Sequence, residues 1–598
     1  MRRPSTAPAL LIVFAAVAAG IYRVVPDPSP AYRRILQALG GVANIGPTAT
    51  RTRIVVAVVV ALLAIAASGQ SWRRLQAAVT AAAVYTVLIG VHDVAAGWWS
   101  HLRPVEHIPA TQMLQPLVAG ALGLLGSVVM HYRLPPAVAV HRQSVHTQRR
   151  ASVVLFALTA VVATATYAVV FALLDRPSLF FRTLPVLVLS TGMLPFSLAQ
   201  TPLLYWLGRR AAERPATRTL PSVAILIPAL DEAEHIGSCL AAIERAEVRY
   251  EGRCRVVVVD NTSRDDTVAV ATRHLRRSPT LRGDVLMCGE PGKSRALNMG
   301  LLQITEDLVL RVDADTIIDE DAIRLLVAHF AAEGVGAAGG LPLPNGTTTW
   351  ISRMRLIEVQ LNVAIRRVAH NAVQSVMCLP GNVAMYRRDL LAQLDGFAEG
   401  INGEDTDITL RIARSGLRIV VDPQVRARTA VPATLGELRE QRTRWARAGY
   451  HVASRNRGLI RFAEGPMGFW YFPLGIVAIH LRVLLFPLLV GMVAAAAPEG
   501  GARIAESLDL IAAATVARLA VAAVVLVAAG QWRAVPWLAG YIPFRLIVLF
   551  HGLEAFLTLP LRDRPATRPR PGRTDKWTAL LRGHRRIGSI RPNSQIAQ

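Results

Sequence analysis

Nine apolar runs divide this 598-residue chain, and they limit its folding more than any other feature. A helix needs roughly 20 mainly apolar residues to cross a bilayer. Six runs precede Arg209, near residues 7–25, 54–69, 75–97, 112–130, 151–174 and 183–206. Three follow near 469–497, 506–530 and 535–560. The stretch from about 210 to 465 is polar. The pattern predicts one aqueous domain held between two groups of membrane helices.

Lys and Arg mark the cytoplasmic connections of such a chain. Arg73 and Arg74 follow the second run, Arg133, Arg142, Arg149 and Arg150 the fourth, and Arg209 and Arg210 the sixth. These alternate connections read as cytoplasmic, which makes the central domain cytoplasmic. The loop over 26–53 is external by parity yet carries Arg33, Arg34, Arg51 and Arg53. The first run reads as a membrane helix, with a cleaved signal peptide as the alternative; either leaves the domain cytoplasmic. The tail 561–598 is the conflict. Three crossings would export it, yet it holds nine Arg, Lys576 and only two Asp. An interfacial or re-entrant segment within 464–498 would restore the parity. Arg518, Arg545, His551 and Glu554 lie in the last runs, and a polar cavity would spare them the cost of facing lipid.

The net charge of +25, with 52% hydrophobic and 18% charged residues, excludes a disordered chain, a collagen and a small disulfide scaffold. Because the positive charge follows loops and membrane edges, it speaks for membrane lipid and against nucleic acid. Of the 66 Lys and Arg only two are Lys, Lys293 and Lys576. Retention of Lys293 suggests a need for a compact ammonium near phosphate. Cys239, Cys254, Cys288 and Cys378 form no C-x-x-C pair and read as reduced thiols.

Within the polar stretch, 222–230, 255–259 and 308–312 are continuous apolar runs of buried-strand type, and helical patterns follow the first two. The alternation predicts a doubly wound α/β domain whose ligands bind beyond the carboxyl ends of the strands. Asp231, Glu232, Asp260, Asp313 and Asp315 stand at those ends. Asp313 and Asp315, one residue apart, suit a hard divalent ion together with diphosphate oxygens. Glu404 and Asp405 open an amphipathic helix, where the dipole favours carboxylates and a general base is also at home. In Gln441-Arg442-Thr443-Arg444-Trp445, Arg can grip a diphosphate and Trp can stack on a sugar. Trp350–Ser375 has the apolar spacing of an amphipathic helix at a membrane surface or on the domain.

Seven ordered motifs, VAILIPALDE, VVVVDNTS, GKSRALN, DADT, CLPGNVAMYRR, GEDTD and QRTRW, cover roughly 220–450. Each is weak alone; in this order they are specific. The chain resembles the membrane-embedded processive family-2 glycosyltransferases, the group of the cellulose, chitin, hyaluronan and poly-N-acetylglucosamine synthases. The resemblance implies a GT-A fold, inverting chemistry, a UDP-sugar donor and Mg2+ or Mn2+. It puts Pro228, Asp231, Glu232, Asp260, Asn261, Lys293 and Asp313 at the donor, Asp260 near the uridine. It makes Asp313 and Asp315 the metal ligands and Asp405 the base, with Glu404 beside it. Gln441, Arg444 and Trp445 would meet the diphosphate and the acceptor, a growing polysaccharide or a lipid. The implied plan is a membrane region 1–208, a catalytic domain 215–455, an interfacial segment with helices 456–560, and a cytoplasmic tail 561–598, in the plasma membrane.

There are departures. No Phe-x-Val-Thr-x-Lys gating motif and no cyclic-di-GMP module occur, and six leading runs exceed the usual two or four. Asp575-Lys576-Trp577 is similar to the tail of poly-N-acetylglucosamine synthases, or else forms a basic lipid-binding tail. No motif names the sugar; N-acetylglucosamine or glucose is preferred. A non-processive transferase and a transporter with an inactive domain remain the alternatives.

Overall fold

The computed structural model describes residues 7–24, 30, 34, 47–67, 71–102, 119–129, 134–137, 150–162, 194–214, 220–496, 516 and 519–559. The basic tail with Lys576, and Arg518, lie outside the described residues.

The polar stretch folds around one eight-stranded sheet. Its strands are β1 Val223–Ala229, β2 Cys254–Asp260, β3 Gly283–Met287, β4 Leu308–Val312, β5 Thr316–Ile318, β6 Val335–Pro344, β7 Val383–Arg387 and β8 Arg418–Thr429. Their order is β3-β2-β1-β4-β7-β6-β8-β5. The first four are parallel, as their unbroken apolar runs imply. Alternate residues of β1 feed opposite faces. Val223, Ile225 and Ile227 pack with the helix Ile236–Tyr250. Ala224 and Leu226 pack with the helix Lys293–Leu301.

The α/β domain of GT-A type is as expected, and only this half of its sheet is parallel. β7 runs antiparallel to both β4 and β6, and β5 antiparallel to β8. The sheet is mixed, of GT-A-like type. β7 and β8 each follow long helical connections, and an apolar strand carries no mark of its direction.

Among the described residues, three helical stretches are long and apolar enough to cross a membrane: Arg74–Val91, Met467–Pro487 and Trp532–Leu557. They coincide with the third, seventh and ninth apolar runs. Of the remaining runs, Ala7–Ile21, Arg53–Ala66, Ala119–Val129, Arg150–Val162 and Leu519–Ala528 are shorter apolar helices. The connection after the fourth run meets the α/β domain: Leu134 N–H donates to Ser454 Oγ (2.8 Å) and Ala137 N–H to Arg455 O (3.1 Å).

The expected amphipathic stretch is an α-helix Trp350–Val359, a π-helical Gln360–Ile365 and an α-helix Arg366–Ala372. Ile351, Met354 and Ile357 pack against Ala534, Leu538 and Phe544 of the last apolar stretch, so its apolar face is covered by protein.

Candidate active site

The loops at the carboxyl ends of β1 and β2 are tied to one another by side chains. Asp231, at φ 54°, accepts from Arg264 N–H (2.8 Å) and donates its own N–H to Ser263 Oγ (2.9 Å). Glu232 N–H donates to Thr267 Oγ1 (2.8 Å). Asp260 is fully buried; Oδ2 accepts from Ser263 N–H (3.1 Å), while Oδ1 has no hydrogen-bond partner. Asn261 Oδ1 accepts from Gly292 N–H (3.1 Å) and so sets the loop that starts the Lys293 helix. Pro228 is buried in β1 opposite Val259.

A chain of alternating charge runs from Lys293 to Glu404, the neighbour of Asp405. Lys293 Nζ lies 2.8 Å from Asp313 Oδ1, Arg311 Nη2 lies 3.8 Å from the same oxygen, and Arg311 Nη2 lies 2.8 Å from Glu404 Oε1. Arg311 and Asp313 are two apart at the end of β4, so their side chains leave on one face. Sequence reasoning missed Arg311. Its one signal was an arginine inside the apolar run LVLRV, a residue that is almost never fully buried without a partner. Its guanidinium fills the space of an absent side chain: a Cβ on Gly381 would sit 2.7 Å from Nη2.

These charges divide the acidity of the two neighbours. Burial would raise Glu404, but Arg311 and Lys293 outweigh it and hold the carboxyl at about 2. Asp405 moves the other way, raised by burial and by the charge of Glu404. Asp405 Oδ1 accepts from Thr406 N–H (2.7 Å), and Cys378 Sγ lies 3.9 Å from Oδ2.

Burial and Asp313 also raise Asp315, whose oxygens take Thr316 Oγ1 (3.1 Å) and Thr429 Oγ1 (3.3 Å). Burial, then Asp315 and Asp313, push Glu232 up to about 7, against the opposing effect of His235. Carboxylates that raise one another in this way are short of positive charge. The all-oxygen pair Asp313 and Asp315 fits a hard divalent ion. No cluster of three or more His, Cys, Asp or Glu able to hold a metal occurs among the described residues.

Gln441, Arg444 and Trp445 lie on the helix Leu435–Arg455. At 3.6 residues per turn, Gln441, Arg444, Trp445 and Ala448 share one face. Ala448 is the residue that a Cβ on Gly403 would strike, at 2.8 Å, and Asn402 N–H donates to His451 Nδ1 (2.9 Å). Arg444 therefore stands one turn from the contact that precedes Glu404 and Asp405. Arg444 is exposed and makes no ion pair among the described residues; Trp445 is 45% exposed. The guanidinium carbons of Arg442 and Arg355 lie 4.9 and 5.0 Å from the Trp445 ring centre.

A cavity of about 630 Å³ elsewhere, at the β5–β8 edge, contains none of the motif residues. Its arginines Arg245, Arg324 and Arg428 pair with Glu320, Asp321 and Asp319.

Residues 221–448 match the model of the family described as "Glycosyltransferase like family 2". An N-acetylglucosaminyltransferase of Rhizobium meliloti (strain 1021) is 34% identical over 250 residues, 40% of this chain and 58% of the relative. An N-acetylglucosaminyltransferase of Mesorhizobium japonicum is 31% identical over 306 residues, 50% of this chain and 67% of the relative. The chain thus spans less than two thirds of the first of these relatives. Among solved structures, the mannosyltransferase PcManGT from Pyrobaculum calidifontis, in complex with GDP-Man and Mn2+, aligns at 24% identity and a TM-score of 0.43, over 60% of this chain and 98% of that one.

Proposed function

The chain belongs to glycosyltransferase family 2, and on that premise we propose that it is an inverting, membrane-embedded polysaccharide synthase that extends a β-linked polymer from a UDP-sugar. N-acetylglucosamine is the preferred sugar, supported by the activity named for the relatives. The observation that carries the reading is the run Lys293–Asp313–Arg311–Glu404 ending beside Asp405. It would offer a cationic donor side and a base for the acceptor beyond the carboxyl end of β4.

In this reading the acceptor hydroxyl oxygen attacks the anomeric carbon from the face opposite the diphosphate. The new C–O bond forms as the bond to the diphosphate oxygen breaks. Asp405 accepts the hydroxyl proton; its raised pKa makes it a better base than Glu404, which Arg311 keeps ionised. Lys293 and Arg444 bind the departing diphosphate, and their pull strengthens as charge builds, which lowers the barrier. Asp313 and Asp315 would hold Mg2+ or Mn2+, and what a divalent ion supplies there is neutralisation of diphosphate charge. Asp260 and Asn261 would receive the uridine, and Trp445 the acceptor sugar. The domain would face the cytoplasm of a multi-pass plasma-membrane protein, with the product leaving through its helices.

Membranes carrying the full chain, incubated with labelled UDP-sugars and Mg2+ or Mn2+, test this. Polymer from UDP-N-acetylglucosamine is the expected product. Single additions would make the protein a non-processive transferase, and no transfer with intact polymer export would favour a transporter.

A further inference from the structure

The helix Leu435–Arg455 has a second face. Arg439 lies opposite the Gln441–Arg444–Ala448 side, and Arg442 lies between the two faces, beside Trp445. Arg439 forms a double hydrogen bond with Glu554 of the helix Tyr541–Leu557, Nε lying 3.0 Å from Oε1 and 2.8 Å from Oε2. Arg447 donates to Thr558 Oγ1 (2.6 Å), just beyond that helix. Between these ties sits Glu358, 8% exposed, on the helix Trp350–Val359. Its Oε1 accepts from Arg442 Nη1 (2.9 Å) and its Oε2 from Arg442 Nη2 (2.6 Å). Arg355 joins from Glu358's own helix and Arg545 Nη1 from the last apolar helix, at 3.8 Å from Oε1. Three guanidinium groups from three helices thus share one buried carboxylate, and two of them border Trp445.

We propose that Glu358 is a positioning residue that locks the Trp445 platform to the last apolar helix and thereby sets how far each product chain is extended before release. This rests on the processive reading above. Sugar stacked on Trp445 keeps its place only while Arg355 and Arg442 hold the ring, and both are held by Glu358. Burial would raise the Glu358 carboxyl, but Arg442 and Arg355 outweigh it and keep it below the usual carboxylate range. Loss of its charge leaves three neighbouring cations without a counter-ion. Removing one member of a buried ion cluster makes the remainder repel and seek water. Arg442 and Arg545 would part, and with them the helix that bears Trp445 and the helix that bears Arg545. Glu358 touches neither the Lys293–Asp313 pair nor Asp405, so donor binding at Lys293 and proton transfer at Asp405 should survive.

The test is product length at low conversion, made by full-length protein in membranes from labelled UDP-N-acetylglucosamine. Length per chain does not depend on the fraction of active protein, so a merely structural role would leave it unchanged. Glu358→Gln is expected to shorten the mean product at least threefold while donor KM changes less than twofold. Glu358→Asp is expected to recover part of the length. An unaltered length distribution in Glu358→Gln, with yield alone reduced, overturns the proposal. If Glu358→Gln does not fold, Arg545→Gln, at the rim of the cluster, is read in the same way and must also shorten the product. Wild-type protein that makes only single additions would end the processive reading and this inference with it. That outcome is distinct from a wild-type polymer whose length the variants leave alone.

Discussion

Arg311 and Glu404 form an ion pair of 2.8 Å in which the arginine is 1% exposed. No other described cation pairs with Glu404, and the same guanidinium faces Asp313 at 3.8 Å. Burying an arginine at this point joins Asp313 at the end of β4 to Glu404, the residue beside Asp405.

Replacing Arg311 by Met leaves Glu404 charged and buried. Breaking such a pair by removing one partner costs about 3–5 kcal/mol. Thermal unfolding of detergent-solubilised Arg311→Met should show a lower transition, and transfer activity should fall at least tenfold. The pair also predicts a pH signature. Glu404 is lowered from 4.5 to about 2 on folding. Its stabilisation is therefore full above about pH 4.5 and lost as pH falls towards 2. The wild type should lose stability through that window, and Arg311→Met should show a weaker slope there.

Asp405 has the opposite sign. Its folded value is raised above 3.8, so its charge opposes folding at neutral pH. Asp405→Asn should therefore unfold at a higher temperature than the wild type while losing about 10²–10⁴-fold in rate, the usual span of base catalysis. In the wild type the rate should rise with pH through a limb lying above the ordinary aspartate value. A variant that is both inactive and less stable would argue against the assignment.

Asp313 and Asp315 should govern the need for a divalent ion. Chelation should abolish transfer, and Asp315→Asn should raise the half-saturating Mn2+ concentration about tenfold or more, since each lost carboxylate removes a hard charged ligand. Lys293→Ala should act on donor KM, because its ammonium pairs with Asp313 and, in the proposed reading, binds the diphosphate.

Gly403→Ala would force a Cβ to within 2.8 Å of Ala448 Cβ at φ 82°. Left-handed strain and overpacking together should cost about 2–4 kcal/mol. The push falls on the helix of Arg444 and Trp445, so kcat should drop further than the folded fraction, as judged by thermal unfolding.

Much of the candidate site is legible in the residue order because strand ends and acidic residues coincide locally. Asp260, Asp313 and Asp315 follow apolar runs directly, and Glu404 and Asp405 open a helix whose pattern is plain. The Gln441–Trp445 element could be assigned to a helix, but not its two faces. That Arg442 belongs to Glu358, while Arg444 stays exposed on the face of Ala448, needed the packing of a third helix. The mixed sheet was hidden for a similar reason, since β7 is apolar in either direction.

The sequence by itself determined the separation of apolar runs from one polar domain, the strand ends that carry carboxylates, and the ordered motifs. Each is a property of neighbouring residues, set by hydrophobic period and local backbone preference. Only the tertiary structure decided that Arg311 meets Glu404, 93 residues away, and that Glu358 meets Arg442, 84 residues away. Such pairs form because sheet order and helix crossings bring distant side chains into one buried volume. There an unpaired charge is too costly to leave, and the partner is chosen by geometry that no local pattern contains.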